Sequence, residues 1–226
     1  MYSGNVEVRS FLLHFKESDT VEKVFNFIEQ LKANSTNTIV QKNGTMLLGY
    51  DKSRSPDARH IIYKPLSSRE EKKLQSSYRR NIPDELLEFY SITDGIDLFS
   101  FSCLYEGILI PCWSIIIHGL PRSFSRSLDR TEPISIAIED CHRTDDCPDS
   151  WLFFGGYGSD PQIRVFFDTD EIQNGICPVH ACEVDTTHII KTWPSLENWF
   201  LTEAARFQKL FEENGDHIEL SSVFPY

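Results

Sequence analysis

Basic residues are scarce in this chain: 22 lysines and arginines stand against 34 aspartates and glutamates, a formal charge of −12. A surface short of positive charge cannot neutralise a phosphate backbone, which counts against general nucleic-acid binding. Long apolar runs are missing as well. The longest candidate, Gly107 to Leu120, is broken by Pro111 and His118, and it falls short of the ~20 apolar residues that a membrane helix needs. No basic start followed by an apolar stretch occurs in MYSGNVEVRS, so no signal peptide is expected. Six cysteines in 226 residues are too few for a disulfide-built scaffold, and free thiols in a soluble, cytoplasmic protein are the expectation. Repeats, low-complexity tracts and an evident linker are also lacking. One domain over 1–226 follows, with 1–66 an N-terminal elaboration and 67–213 the core that bears the motifs.

Apolar residues are plentiful. They make up 40% of the chain, aromatics 12%, with 16 phenylalanines, enough for a packed interior. Val21, Val24, Phe25, Ile28 and Leu31 recur at helical spacing behind an Asp19/Glu22 capping pattern, predicting a helix over Thr20–Ala33. Asn43-Gly44 between two β-prone runs predicts a hairpin. A third short strand is read over Arg59–Lys64, and Ser67 with Glu70 opens a charged helix.

The segment IPDELLEFYSITDGI, Ile82 to Ile96, reads as a short helix with Pro83 at its first position and Gly95 at or just past its end. Two or three short strands are expected between Leu98 and Ile117. Trp151–Phe154 and Ile163–Phe167 are nearly continuous apolar runs, the pattern of central strands. The glycines of Gly155-Gly156-Tyr157-Gly158 read as a turn between them. Ile176–Val184 and His188–Lys191 are further strands. Pro194–Glu213 closes the chain as a helix that buries Leu196, Trp199, Phe200, Ala204, Phe207, Leu210 and Phe211.

Reactive constellations are thin. The glycine turn lacks the lysine and hydroxyl residue that complete a phosphate loop, and a strand follows it instead of a helix. Cys141, His142 and Cys147, with Cys177, His180 and Cys182, offer soft ligands. Their spacings miss the short knuckle of a structural zinc site, and Cys177 and Cys182 would point to opposite faces of a strand. No Gly-x-Ser-x-Gly elbow is present, and no cysteine sits at an evident helix start beside a histidine. Neither metal nor cofactor is called for by these residues.

Three segments carry a family likeness. IPDELLEFYSITDG resembles the proline-started helix and glycine turn of the SUKH superfamily, which includes fungal Smi/Knr regulators and many bacterial toxin-immunity proteins. WLFFGGYGSDPQIRVFFDTD, Trp151–Asp170, is similar to its apolar strand, glycine turn and Phe-Asp strand, and WPSLENWFLTEAARF to its closing helix. Gly158-Ser159-Asp160 departs from the usual glycine-aspartate pair, and the insertion Ser123–Asp149 is long. The resemblance implies an α+β fold, a curved mixed sheet flanked by helices. It also implies a non-enzymatic role: a protein that binds and blocks a cognate toxin, a nuclease or deaminase, or else a regulatory scaffold with several cellular partners.

Such a partner would be basic, and the acidic segments are the candidates to meet it. Glu139, Asp140, Asp145, Asp146 and Asp149 crowd one segment against the single Arg143, while Asp168, Asp170 and Glu171 follow a core strand. These carboxylates would mimic phosphate charge toward lysines and arginines of the partner. They would serve equally as a solvated loop or a loose cation site. Asp160 joins the partner-binding candidates, as does Tyr157, with Tyr105 and Trp113 as further aromatic anchors.

Overall fold

The computed structural model describes residues 19–51, 58–70, 72, 82–105, 108–112, 115–117, 147–157, 163–183 and 186–214. Helix α1 runs over Asp19–Asn34, as the spacing predicts. Val21, Val24 and Ile28 are buried in the core, whereas Phe25 lies at the edge of that stripe and stays 40% exposed.

The predicted hairpin follows as β1 (Ile39–Val40) and β2 (Met46–Leu48), paired antiparallel. Gly44 adopts a φ of 92°, and the Asn43 Oδ1 accepts from the Thr45 amide at 3.0 Å, so this dipeptide supplies both the positive φ and the local bond that close the turn. Strand β3 (His60–Ile62) is next. The capping pair behind it closes reciprocally: the Glu70 carboxylate accepts from the Ser67 amide at 2.8 Å, and the Ser67 Oγ accepts from the Glu70 amide at 3.3 Å.

Helix α2 covers Asp84–Ile92, with Pro83 at the N-cap and not inside the first turn. Its φ of −54° and ψ of 138° are extended, a conformation that the ring accepts as readily as the helical one. Gly95, at φ 122°, belongs to the turn into β4 (Ile96–Leu98) and not to the helix end. Past β4, the stretch to Ile117 holds three short strands, within the two or three expected: a separate ribbon of β5 (Phe101–Tyr105) with β6 (Ile108–Cys112), then β7 (Ile115–Ile117).

Strands β8 (Trp151–Tyr157), β9 (Ile163–Asp168), β10 (Val179–Glu183) and β11 (Ile189–Trp193) complete one nine-stranded sheet of order β1-β2-β3-β4-β7-β8-β9-β10-β11. Every described ladder is antiparallel, where a mixed sheet was expected. Antiparallel neighbours of this kind need no parallel crossover connection. The fold is α+β. Helix α3 (Leu196–Asn214) ends the described chain.

The glycine turn is corrected by the structure: Gly155 and Gly156 lie inside β8. A register shift between Phe153 and Gly155 inserts an extra residue, so Phe154 and Tyr157 both enter the main core despite their opposite parity. The bulge brings β8 close to β7. A Cβ at Gly155 would collide with the Ile116 carbonyl oxygen, which is why glycine stands there.

One large core lies between the helices and one face of the sheet. It takes Val24 and Ile28 from α1, Leu86 and Phe89 from α2, and Trp199, Phe200 and Phe207 from α3. Trp199 meets Phe154 edge-on at 5.4 Å and donates its Nε1–H to the Tyr157 hydroxyl at 2.8 Å. The opposite face holds a smaller cluster of Trp151, Phe153, Phe166 and Cys182, with Trp151 stacked on Phe166 at 3.9 Å.

Candidate functional site

The pairing of β8 with β9 sets Trp151 opposite Asp168, so the residues before β8 and after β9 meet at one end of the sheet. There Asp168 caps a 3-10 turn, Thr169–Glu171, its Oδ1 accepting from the Asp170 amide at 3.2 Å. Thr169 donates both its amide and its hydroxyl to the Ser150 carbonyl, at 2.8 and 2.9 Å. That double bond pins the 147–150 turn, with exposed Asp149, against the acidic turn.

A second turn adjoins them. Gln173 and Ile176 exchange two backbone bonds across Asn174 and Gly175, whose φ values are 53° and 82°, the two-residue turn that joins antiparallel strands. The Gly175 carbonyl accepts from the Asp84 amide at 3.0 Å, and a Cβ on Gly175 would strike the Asp84 carboxylate. The start of α2 is thereby seated on this turn.

The result is an acidic rim. Asp84, Asp149, Asp170 and Glu171 are exposed and Asp168 is partly so. No lysine or arginine occurs in Ile82–Leu98, Cys147–Tyr157 or Val165–Glu183, the segments that build it. Glu171 reaches inward as well: its Oε2 is 3.3 Å from His180 Nε2, and His180 Nδ1 is 2.9 Å from Thr192 Oγ1. The buried imidazole lies 5.3 Å from Phe166 and so ties the acidic turn to β10 and β11.

Of the sequence candidates, the structure gathers Asp149, Asp168, Asp170 and Glu171 at this rim. Tyr157 is removed from it. That side chain is 1% exposed in the core and accepts from Trp199, so it offers no partner an anchor. The bulge between Phe153 and Gly155 turns it onto the same face as Phe154. Glu139, Asp140, Asp145, Asp146 and Asp160 lie outside the described residues, as do Trp113 and His118; of Tyr105 only its strand position is described.

The cysteines divide as their parity implies: Cys177 belongs to the main core and Cys182 to the cluster on the opposite face. Burial pushes both thiols up to about 12. For Cys177 the carboxylates of Glu85, Glu171 and Asp168 add to the rise, and for Cys182 Arg164 opposes it. Neither is a thiolate near neutral pH, the form needed for nucleophilic attack or soft-metal binding. An open depression of about 440 Å³ elsewhere is lined by Lys64, Ser67, Arg69 and Glu70. Its charges already face one another, with Lys64 Nζ 3.6 Å from Glu70.

Among the buried carboxylates that the sequence reading missed, Glu85 and Glu203 stand on helices. Glu85, 2% exposed, accepts from the Cys177 amide at 3.1 Å and from the Leu196 amide at 2.8 Å. Glu203, fully buried, accepts from Arg206 at 2.6 and 2.8 Å and lies 3.5 Å from Lys191. The signal was present: Glu85 falls in phase with Ile82, Leu86 and Phe89, and Glu203 with Trp199, Phe200 and Phe207, so each interrupts an apolar stripe.

These features define an α+β protein whose antiparallel sheet is backed by helices on one face and ends in an acidic rim. A family model confirms the lineage: residues 65–202 match the SMI1 / KNR4 family (SUKH-1). The chain belongs to that family. It gives no significant match to a curated protein or to a solved structure. Among the described residues, no helix is long and apolar enough to cross a membrane.

Proposed function

We propose that this chain works by binding a basic protein, as an immunity protein that occludes a toxin domain without making or breaking bonds. The rim carries this reading. Five carboxylates, those of Asp84, Asp149, Asp168, Asp170 and Glu171, meet at one end of the sheet in segments free of lysine and arginine. Such a surface steers a cationic partner and repels an anionic one. The framework beneath it is tied by backbone bonds at Ser150, Thr169, Gly175 and Asp84, so little ordering would be needed on binding. A nuclease or deaminase, whose active site is basic because it holds nucleic acid, has the complementary charge.

The test is capture of partners by the tagged chain from its own cell lysate, at low and at moderate salt. One stoichiometric basic partner whose expression alone is toxic supports immunity. Several sub-stoichiometric partners favour the regulatory scaffold. Retention unchanged by salt, or by Asp149→Lys with Asp170→Lys, removes the rim from the interface.

A further inference from the structure

The corner beneath the rim contains a carboxylate that nothing in partner binding requires. Glu85 projects from the first turn of α2 into the interior, where it receives two backbone amides from segments remote in sequence. One belongs to Cys177, between the Gly175 turn and β10; the other belongs to Leu196, the first residue of α3. Three elements therefore converge on a single side chain.

The charges facing it are of its own sign. Asp84 and Glu88 stand on α2, Glu197 on α3, and Asp168 and Glu171 flank Cys177 from the acidic turn. Lys23 of α1 reaches this corner, its Nζ 2.8 Å from Glu197 Oε1, and is itself largely exposed. The other oxygen of Glu197 is buried and meets no donor among the described residues. The corner is rich in acceptors and poor in protons.

We infer that Glu85 is a proton-controlled latch: protonated, it seals the junction of α2, the Gly175 turn and the start of α3, and on ionisation it lets this corner open to water. The physical cause is burial. It raises the Glu85 carboxyl from the ordinary 4.5 to about 7, Glu88 and Glu197 add to the rise, and the two amide bonds oppose it. A carboxyl raised on folding contributes stability below its unfolded value, and that contribution is lost as pH climbs through the folded one. The latch is therefore closed at pH 5 and weakest above about 7. Because the segment it holds carries Asp170 and Glu171, opening would loosen the rim. This last consequence rests on the function proposed above, but the latch itself does not.

Amide hydrogen exchange at Cys177 and Leu196 between pH 5 and pH 8 tests it, after correction for intrinsic base catalysis. Protection in the wild type should fall on the order of a hundredfold across that range, following the shift in the carboxyl. In Glu85→Gln it should be flat. Unchanged wild-type protection, or the same decline in Glu85→Gln, overturns the latch. If the variant does not fold, carbon-13 titration of the Glu85 carboxyl in the wild type decides. A midpoint near 7 supports the inference, and one near 4.5 overturns it.

Discussion

Glu85 and Glu203 are both buried glutamates on helices that share one core, and the protein holds them by different means. Glu203 is met by side-chain cations: Arg206 grips one oxygen at 2.6 and 2.8 Å, and Lys191 reaches the other at 3.5 Å. Each cation is seated on a ring, Arg206 over Phe207 at 4.0 Å and Lys191 over Trp193 at 4.7 Å, so the cluster is packed as well as paired. Among the described residues Glu85 is met by backbone amides, with further carboxylates around it. A carboxylate paired with a cation loses most when its partner structure is broken. One held only by amide dipoles answers to pH, since uptake of a proton removes the charge that burial penalises.

The contrast is broken most severely by Glu203→Ala. It removes the buried acceptor that Arg206 and Lys191 share, and unfolding in urea should show a loss of about 3 kcal/mol. Glu203→Met, which fills the space without a charge, should cost about half as much. If Ala and Met are equally tolerated, the cluster contributes packing only.

Next comes Glu85→Gln. Its stability relative to the wild type should rise by about 2–3 kcal/mol between pH 5 and pH 8, because only the wild type buries a new charge over that interval. The sign is the useful part. Loss of an ordinary surface carboxylate pair would give the opposite trend, with the wild type gaining as pH rises.

A smaller effect is expected where the core has no charge at all. Trp199→Phe keeps an aromatic ring against Phe154 but removes the donor to the Tyr157 hydroxyl. A cost of about 1–2 kcal/mol in the same unfolding measurement, from the lost donor and the lost ring volume, would place this bond below either glutamate.

Much of this arrangement was legible in the sequence where a single period governs a segment. The stripe of α1, the Asn43-Gly44 hairpin and the apolar runs of β8, β9 and α3 all appear at or near their expected positions. What escaped depends on contacts between segments. Gly155 looked like a turn because its reason, the approach of the Ile116 carbonyl, lies on another strand. The antiparallel run of the sheet could not be read from strands that are uniformly apolar on both faces. Glu85 and Glu203 hid for a related reason: a charge in phase with an apolar stripe declares itself odd, but its partners are Cys177, Leu196 and Lys191, which only the fold brings near. The acidic rim was half visible. Asp168, Asp170 and Glu171 stood out as a run, whereas Asp84 and Asp149 join them through bonds to Gly175 and Ser150 that no spacing announces.

The rim is where the smallest effect on stability and the clearest effect on association should coincide. Asp149 and Asp170 are exposed carboxylates at turn positions, and replacing exposed charges of this kind shifts stability by no more than about 0.5 kcal/mol. Charge reversal acts instead on encounter. With Asp149→Lys and Asp170→Lys combined, association with a basic partner should slow roughly tenfold at low salt, and its salt dependence should flatten. Dissociation should change less, because rim charges act chiefly before contact is made. Stopped-flow or surface-binding kinetics at two ionic strengths would separate these arms. If the association rate holds and dissociation quickens, Asp149 and Asp170 make desolvated contacts and the rim is an anchor; if neither rate moves, the partner binds elsewhere on the sheet.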